Sequence, residues 1–130
     1  MRSTKLLLFT PLLALAATAQ STARERPASA PAAGPVSCID PHQIVARHPE
    51  PPHTLVFEMS GGITYRNEVI GACPGLARAN SSSIVQIEPD SGNLCMNDHV
   101  RVYDPVEVRG VGAGATARCR LGKFTPVPSD

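Results

Sequence analysis

Tryptophan is missing from the 130-residue chain, and its aromatics amount to three Phe and two Tyr. With 12 basic residues against 11 acidic ones, no basic excess is present either. Nucleic-acid binding by a small β domain needs exposed aromatics beside a basic groove, so that class is set aside. No C-x-x-C occurs, which removes a thioredoxin-like redox pair and a zinc ribbon. No G-x-S-x-G elbow is present. Gly110-Val111-Gly112-Ala113-Gly114 lacks the Lys-Ser/Thr step and the βαβ setting of a phosphate loop. Beyond the N-terminal segment, no run is long or apolar enough to span a bilayer.

That N-terminal segment is distinctive. Arg2 and Lys5 precede an apolar run from Leu6 to Ala17, and Ala17-Thr18-Ala19 places small residues where a signal peptidase reads them. Twelve helical residues reach about 18 Å, well short of a hydrocarbon core of roughly 30 Å. The reading is a secretory signal over 1–19, cut after Ala19, and a periplasmic or secreted mature chain without a transmembrane segment. Cleavage leaves 10 basic residues against 11 acidic ones, a net charge of −1 with His neutral. Residues 20–36 hold three prolines, many alanines and no aromatic residue. Too little apolar surface is available there to offset chain entropy, so this stretch reads as a flexible tether. The folded domain is expected over 37–127, with 128–130 as a tail.

Within the domain, hydrophobic alternation of period two dominates. Leu55, Phe57 and Met59 share one face of a strand over Thr54–Met59. Ser60-Gly61-Gly62 supplies the positive φ of a tight hairpin loop. Ile63, Tyr65 and Val69 then alternate with Thr64, Arg66 and Glu68. Cys73-Pro74-Gly75 marks a turn, followed by no more than a helical turn at Leu76–Asn80. Further strands are expected at Ser83–Glu88 and at His99–Tyr103, with Val100 and Val102 inward. Val106–Val111 would continue the second of these after a break at Pro105. The last strand, Ala117–Phe124, slips in phase after Gly122 as a bulge would cause. Gln43–His48 fits a helical turn or a short strand equally well. About five short strands suggest a small antiparallel barrel or rolled sheet, since closure removes exposed edges.

Cys38, Cys73, Cys95 and Cys119 form an even set in a small exported domain, which points to two disulfides. Three pairings are open; position in the chain favours Cys38–Cys119 with Cys73–Cys95. Each bond would contribute about 3–4.5 kcal/mol on the chain-entropy model. The competing use is a Cys2His2 metal site, because Cys38/His42 and Cys95/His99 share C-x3-H spacing. Pro41 stiffens the first pair and Cys73 and Cys119 would be stranded, so no metal and no cofactor are expected.

Catalytic candidates do not converge. His42, His48 and His53 fall in a proline-broken segment. Asp98 beside His99 would orient a base, but no nucleophile accompanies it. Glu58 and Glu68, if they met across the hairpin, would raise one carboxyl pKa. Asn80-Ser81-Ser82 is a glycosylation sequon of a kind common by chance.

Thr54-Leu55-Val56-Phe57, Gly62-x-x-Tyr65-Arg66-Asn67, Cys73-Pro74-Gly75-Leu76, Leu94-Cys95-x-x-Asp98 and Cys119-x-Leu121-Gly122 together resemble a family of small secreted bacterial proteins classed as a domain of unknown function. Asn97 stands where that family's pattern would have glycine. The resemblance implies a bacterial envelope protein with paired cysteines and brings no catalytic residues. Ser60-Gly61-Gly62-x-x-Tyr65 also resembles a loop of periplasmic lysozyme inhibitors. The expected function is therefore a non-catalytic binding module for an envelope protein or small ligand, with Ser60, Gly61, Gly62 and Tyr65 as the interaction loop. Inhibition of a hydrolase such as lysozyme is the alternative, and metal handling in the envelope is a further one.

Overall fold

The computed structural model describes residues 34–128. The signal segment, its cut and the tether up to residue 33 lie outside the described residues. Among the described residues are nine short strands, β1 Cys38–Ile39, β2 Ile44–Glu50, β3 Thr54–Met59, β4 Thr64–Glu68, β5 Ile84–Glu88, β6 Leu94–Cys95, β7 His99–Tyr103, β8 Arg118–Arg120 and β9 Phe124–Val127, with one α-helical turn, α1, at Pro74–Ala77. Every strand pairing is antiparallel. The sheets run β2-β3-β4-β9, β5-β7-β8 and β1-β6. The all-β, disulfide-stapled class holds, with more and shorter strands than the alternation alone suggests.

The sheets do not close into a barrel, and the sequence shows how the edges are managed without closure. Pro49 lies in β2 and Pro126 in β9, the two outer strands of the four-stranded sheet. Neither proline has an N–H to offer, so each blunts an edge that would otherwise recruit another strand. Gln43–His48 is resolved as strand from Ile44 onward, entered through a 3-10 turn at Pro41–Gln43 that the Asp40 carboxylate caps on the His42 N–H at 2.9 Å.

The expected β3–β4 hairpin is present, with Phe57 opposite Tyr65 and Glu58 opposite Thr64. Its inward residues Leu55 and Phe57 meet Phe124 of β9 and Val85, Val100, Val102 and Cys119 of the three-stranded sheet in one core. Phe57 and Tyr65 both pack edge-on against Phe124, with ring centroids 5.6 and 6.3 Å away.

Three expectations are corrected. Val106–Val111 is not strand but part of an irregular loop between β7 and β8, because Pro105 has no N–H for a ladder and both edges of β7 are taken by β5 and β8. Ala117–Phe124 is not one bulged strand. Arg118–Arg120 pairs with β7, and Phe124–Val127 pairs with β4, so the chain changes sheet at Leu121–Lys123. Val36, expected in the tether, pairs with Phe124 through N–H···O bonds of 2.8 and 2.9 Å.

The change of sheet is held by a buried side chain. Asn67 is fully buried; its Nδ2 donates to Gly122 O and its Oδ1 accepts from Gly122 N–H, both at 2.9 Å. One amide thus satisfies both backbone groups of a residue that has left one ladder and not yet entered the next. Gly122 is required because a Cβ there would overlap Glu68 O. The Leu121 N–H meanwhile donates to Asp98 O and its carbonyl accepts from Asn97 N–H, each at 2.9 Å. Asn67→Ala strands a buried donor and acceptor on Gly122, and is expected to lower unfolding free energy by about 2–4 kcal/mol in urea titration. Asn67→Asp has no donor while ionised and regains an O–H donor when protonated, so it should fall between wild type and Asn67→Ala at low pH only.

Candidate functional site

The cysteines pair as Cys38–Cys95 and Cys73–Cys119, not as position in the chain suggested. The reason is strand register. Cys38 lies directly opposite Cys95 in the β1–β6 ladder. Cys73, just ahead of α1, meets Cys119 of β8, whose neighbour in the ladder is Val100. The metal alternative falls with this pairing, since Cys38 and Cys95 bond to each other and their thiolates are not available to an ion.

The two disulfides differ in setting. Cys73 and Cys119 are core residues, 5% and 2% exposed. Cys38 is exposed and Cys95 half-buried. Exchange requires a thiolate to reach a sulfur, so access controls which bond opens first. Under graded dithiothreitol, alkylation followed by peptide mass mapping should label Cys38 and Cys95 at concentrations that leave Cys73 and Cys119 paired. Simultaneous labelling of all four would refute that ordering.

The catalytic candidates are scattered. Glu58 faces Thr64 and Glu68 faces Thr54, so the two carboxylates sit at opposite ends of the hairpin. Glu58 lies 3.9 Å from His48 Nδ1, and Arg66 pairs with Glu50 at 2.8 Å. The Asp98 carboxylate does not orient His99; it accepts the Cys95 N–H at 2.7 Å and closes the β6–β7 turn. In that turn Asn97 has φ 74°, a left-handed backbone that suits glycine and, among other residues, asparagine best. His99 Nδ1 is buried without a hydrogen-bond partner among the described residues.

The expected interaction loop does converge on one feature. Ser60 and Tyr65 line an open groove of about 360 Å³ whose other side is formed by Val36, Cys38, Ile39 and Gln43. Gly61 and Gly62, at φ 115° and 88°, make the exposed tip. The loop is tied down at its base. The Ser60 N–H donates to Gln43 O at 2.7 Å, the Ser60 hydroxyl bonds Gln43 Oε1, and Met59 N–H donates to Ile63 O at 2.8 Å. Met59 and Ile63 add apolar lining, and Ile63 is 50% exposed. Sequence reasoning found the tip and Tyr65; it missed the opposite wall, because residues 36–43 reach it only through pairing with β6 and β9.

On the three-stranded sheet, Glu88 links two arginines. Its Oε1 accepts from Arg101 Nε at 2.6 Å and its Oε2 from Arg118 Nε at 2.7 Å. The Arg101 bond, followed by that of Arg118, holds the Glu88 carboxyl below the usual glutamate value against the opposing effect of burial. Arg101 Nη1 also donates to Gly114 O at 3.2 Å and to Thr116 O, which fastens the β7–β8 loop to the sheet. Because the folded-state pKa is lowered, this carboxylate stabilises the fold above the ordinary glutamate range. The contribution is lost as pH falls through the lowered folded value. Glu88→Gln should therefore cost about 1 kcal/mol near neutral pH, with the gap to wild type narrowing below about pH 4 in thermal melts.

Compared with protein families, curated proteins and solved structures, the chain matches none.

Proposed function

We propose that this chain is an exported, non-catalytic binding module of the bacterial envelope, of the kind its sequence resembles, and that it engages its partner through the groove beside the β3–β4 loop. Two disulfides accord with an oxidising compartment. Among the described residues no helix is long and apolar enough to cross a membrane. The observation that carries the reading is the groove itself: an apolar lining in which Ile63 is exposed and Val36 and Met59 are half-buried over buried Ile39, beside a tied-down glycine loop. A loop fixed in advance loses little entropy on docking, which favours recognition of a shaped partner surface. The same feature favours the inhibitor version, in which the tip enters a hydrolase cleft.

A photo-crosslinking residue at position 63, expressed in the native host, should give a discrete adduct. The same residue at Ile84, exposed on β5 of the other sheet, should not. Equal adducts at both positions, or none at 63, would count against the groove. For the inhibitor version, lysozyme digestion of cell walls is followed with and without excess protein. Slowing by wild type that is lost in Ile63→Asp supports it, and an unchanged rate removes it.

A further inference from the structure

The β7–β8 loop, residues 104–117, carries only a 3-10 turn at Ala113–Ala115 as regular structure. It is nevertheless anchored to the sheet at its far end and bonded to itself at its start. Arg101, set by Glu88, holds Gly114 and Thr116. Near its start, Asp104 O accepts from Val108 N–H at 3.3 Å and Asp104 Oδ1 from Val106 N–H at 2.8 Å. Long irregular loops fastened to a rigid scaffold are where binding sites concentrate.

Between this loop and the α1–β5 segment lies a cleft of about 300 Å³. Its base is close-packed: Gly75 of α1 rests on the Val102 carbonyl so tightly that a Cβ would overlap it. The charged groups of the lining are divided between its two segments, the cation on α1–β5 and the carboxylates on the loop. From the α1–β5 side come donors. Arg78 has no ion-pair partner among the described residues. Asn80 uses its Oδ1 on Ser82 N–H at 2.7 Å, which leaves its NH₂ protons. Ser83 Oγ accepts from Asn80 N–H at 3.0 Å, which leaves the hydroxyl proton. From the loop come acceptors: the Glu107 carboxylate, also unpaired among the described residues, and the second oxygen of Asp104. Val108 and Val111 add apolar surface beside them.

The geometry points to a binding site for a small zwitterion, a free amino acid or a peptide of two residues. Its carboxylate meets Arg78, Asn80 and Ser83, and its ammonium meets Glu107 and Asp104. Guanidinium and carboxylate are the strong partners for these two ends. The cavity is at the small end of ligand pockets, which suits a ligand of that size. This site is separate from the groove of the β3–β4 loop, shares no lining residue with it, and stands or falls independently.

The probes are the dipeptide Ala-Ala, its N-acetyl form and its C-terminal amide, titrated into the ¹⁵N-labelled full mature chain. Ala-Ala is expected to shift amides at 75–83 and 104–117, and each blocked form to bind about tenfold more weakly. Arg78→Gln should lose discrimination between acid and amide, and Glu107→Gln discrimination between free and acetylated amine. Both side chains are exposed, so the variants are expected to keep the wild-type spectrum elsewhere. Arg47→Gln, an exposed cation on β2, serves as the control that changes nothing. Absence of shifts in the two segments overturns the site. Equal binding of all three peptides, or binding of a disaccharide in place of Ala-Ala, overturns the ligand class.

Discussion

A single buried amide lets this chain pass from its three-stranded sheet into its four-stranded one. Asn67 presents to Gly122 the same donor and acceptor that a neighbouring strand would present. Buried backbone leaving one sheet for another loses its ladder partners, and each group left without a replacement costs about 1–3 kcal/mol. With Asn67 in place the buried part of the crossing, Leu121 and Gly122, has its backbone N–H and C=O groups bonded, and β8 and β9 can belong to different sheets. Phe124, next in the chain, then reaches the centre of the aromatic cluster with Phe57 and Tyr65. Remove the amide and the core loses the geometry that brings its two halves together.

The other irregular elements rest on comparable close fits. Gly75 lets α1 approach β7 to backbone contact, and the Cys73–Cys119 bond fastens the start of that turn to β8. Asn97 and Asp98 close the β6–β7 turn, and the Asp98 carbonyl also receives Leu121 N–H. The Cys-Pro-Gly-Leu and Leu-Cys-x-x-Asp elements are therefore the places where strand backbones meet without a regular ladder. Their residue types follow from packing and hydrogen-bond satisfaction. Specificity of sequence at such positions is a consequence of architecture here.

How far the sequence could be read follows from which forces are local. The β3–β4 hairpin and β7 were legible because alternation is written in neighbouring residues. The Ser60–Gly62 loop was legible because positive φ selects glycine. Asn67 was not, although it sits on the same alternating face as Tyr65 and Val69; a polar residue on an inward face reads as an interruption until its partner is known. That partner is 55 residues away. The disulfide pairing failed for the same reason: it is set by register between β1 and β6, which nothing within either dipeptide specifies. At the candidate sites, one wall of the groove was legible and the other was supplied by distant pairing. Residues 104–117 carried a run of valines that imitates a strand, and only the prior claim of β5 and β8 on the edges of β7 shows that no ladder is left for it.

Polar satisfaction finally separates what the molecule uses for itself from what it leaves to others. Inside, Asn67 and Asp98 spend hydrogen-bonding capacity on named backbone groups. On the three-stranded sheet, Glu88 engages both arginines and fixes the loop through one of them. A chain that arranges its charges so fully at these positions has the means to pair Arg78 with Glu107 as well, since both line the same cleft. They form no ion pair with each other: Arg78 belongs to the α1–β5 side and Glu107 to the loop, whose far end Arg101 holds through Gly114 and Thr116. The bonds that fix the loop are thus made by groups other than the two charges left on the cleft lining.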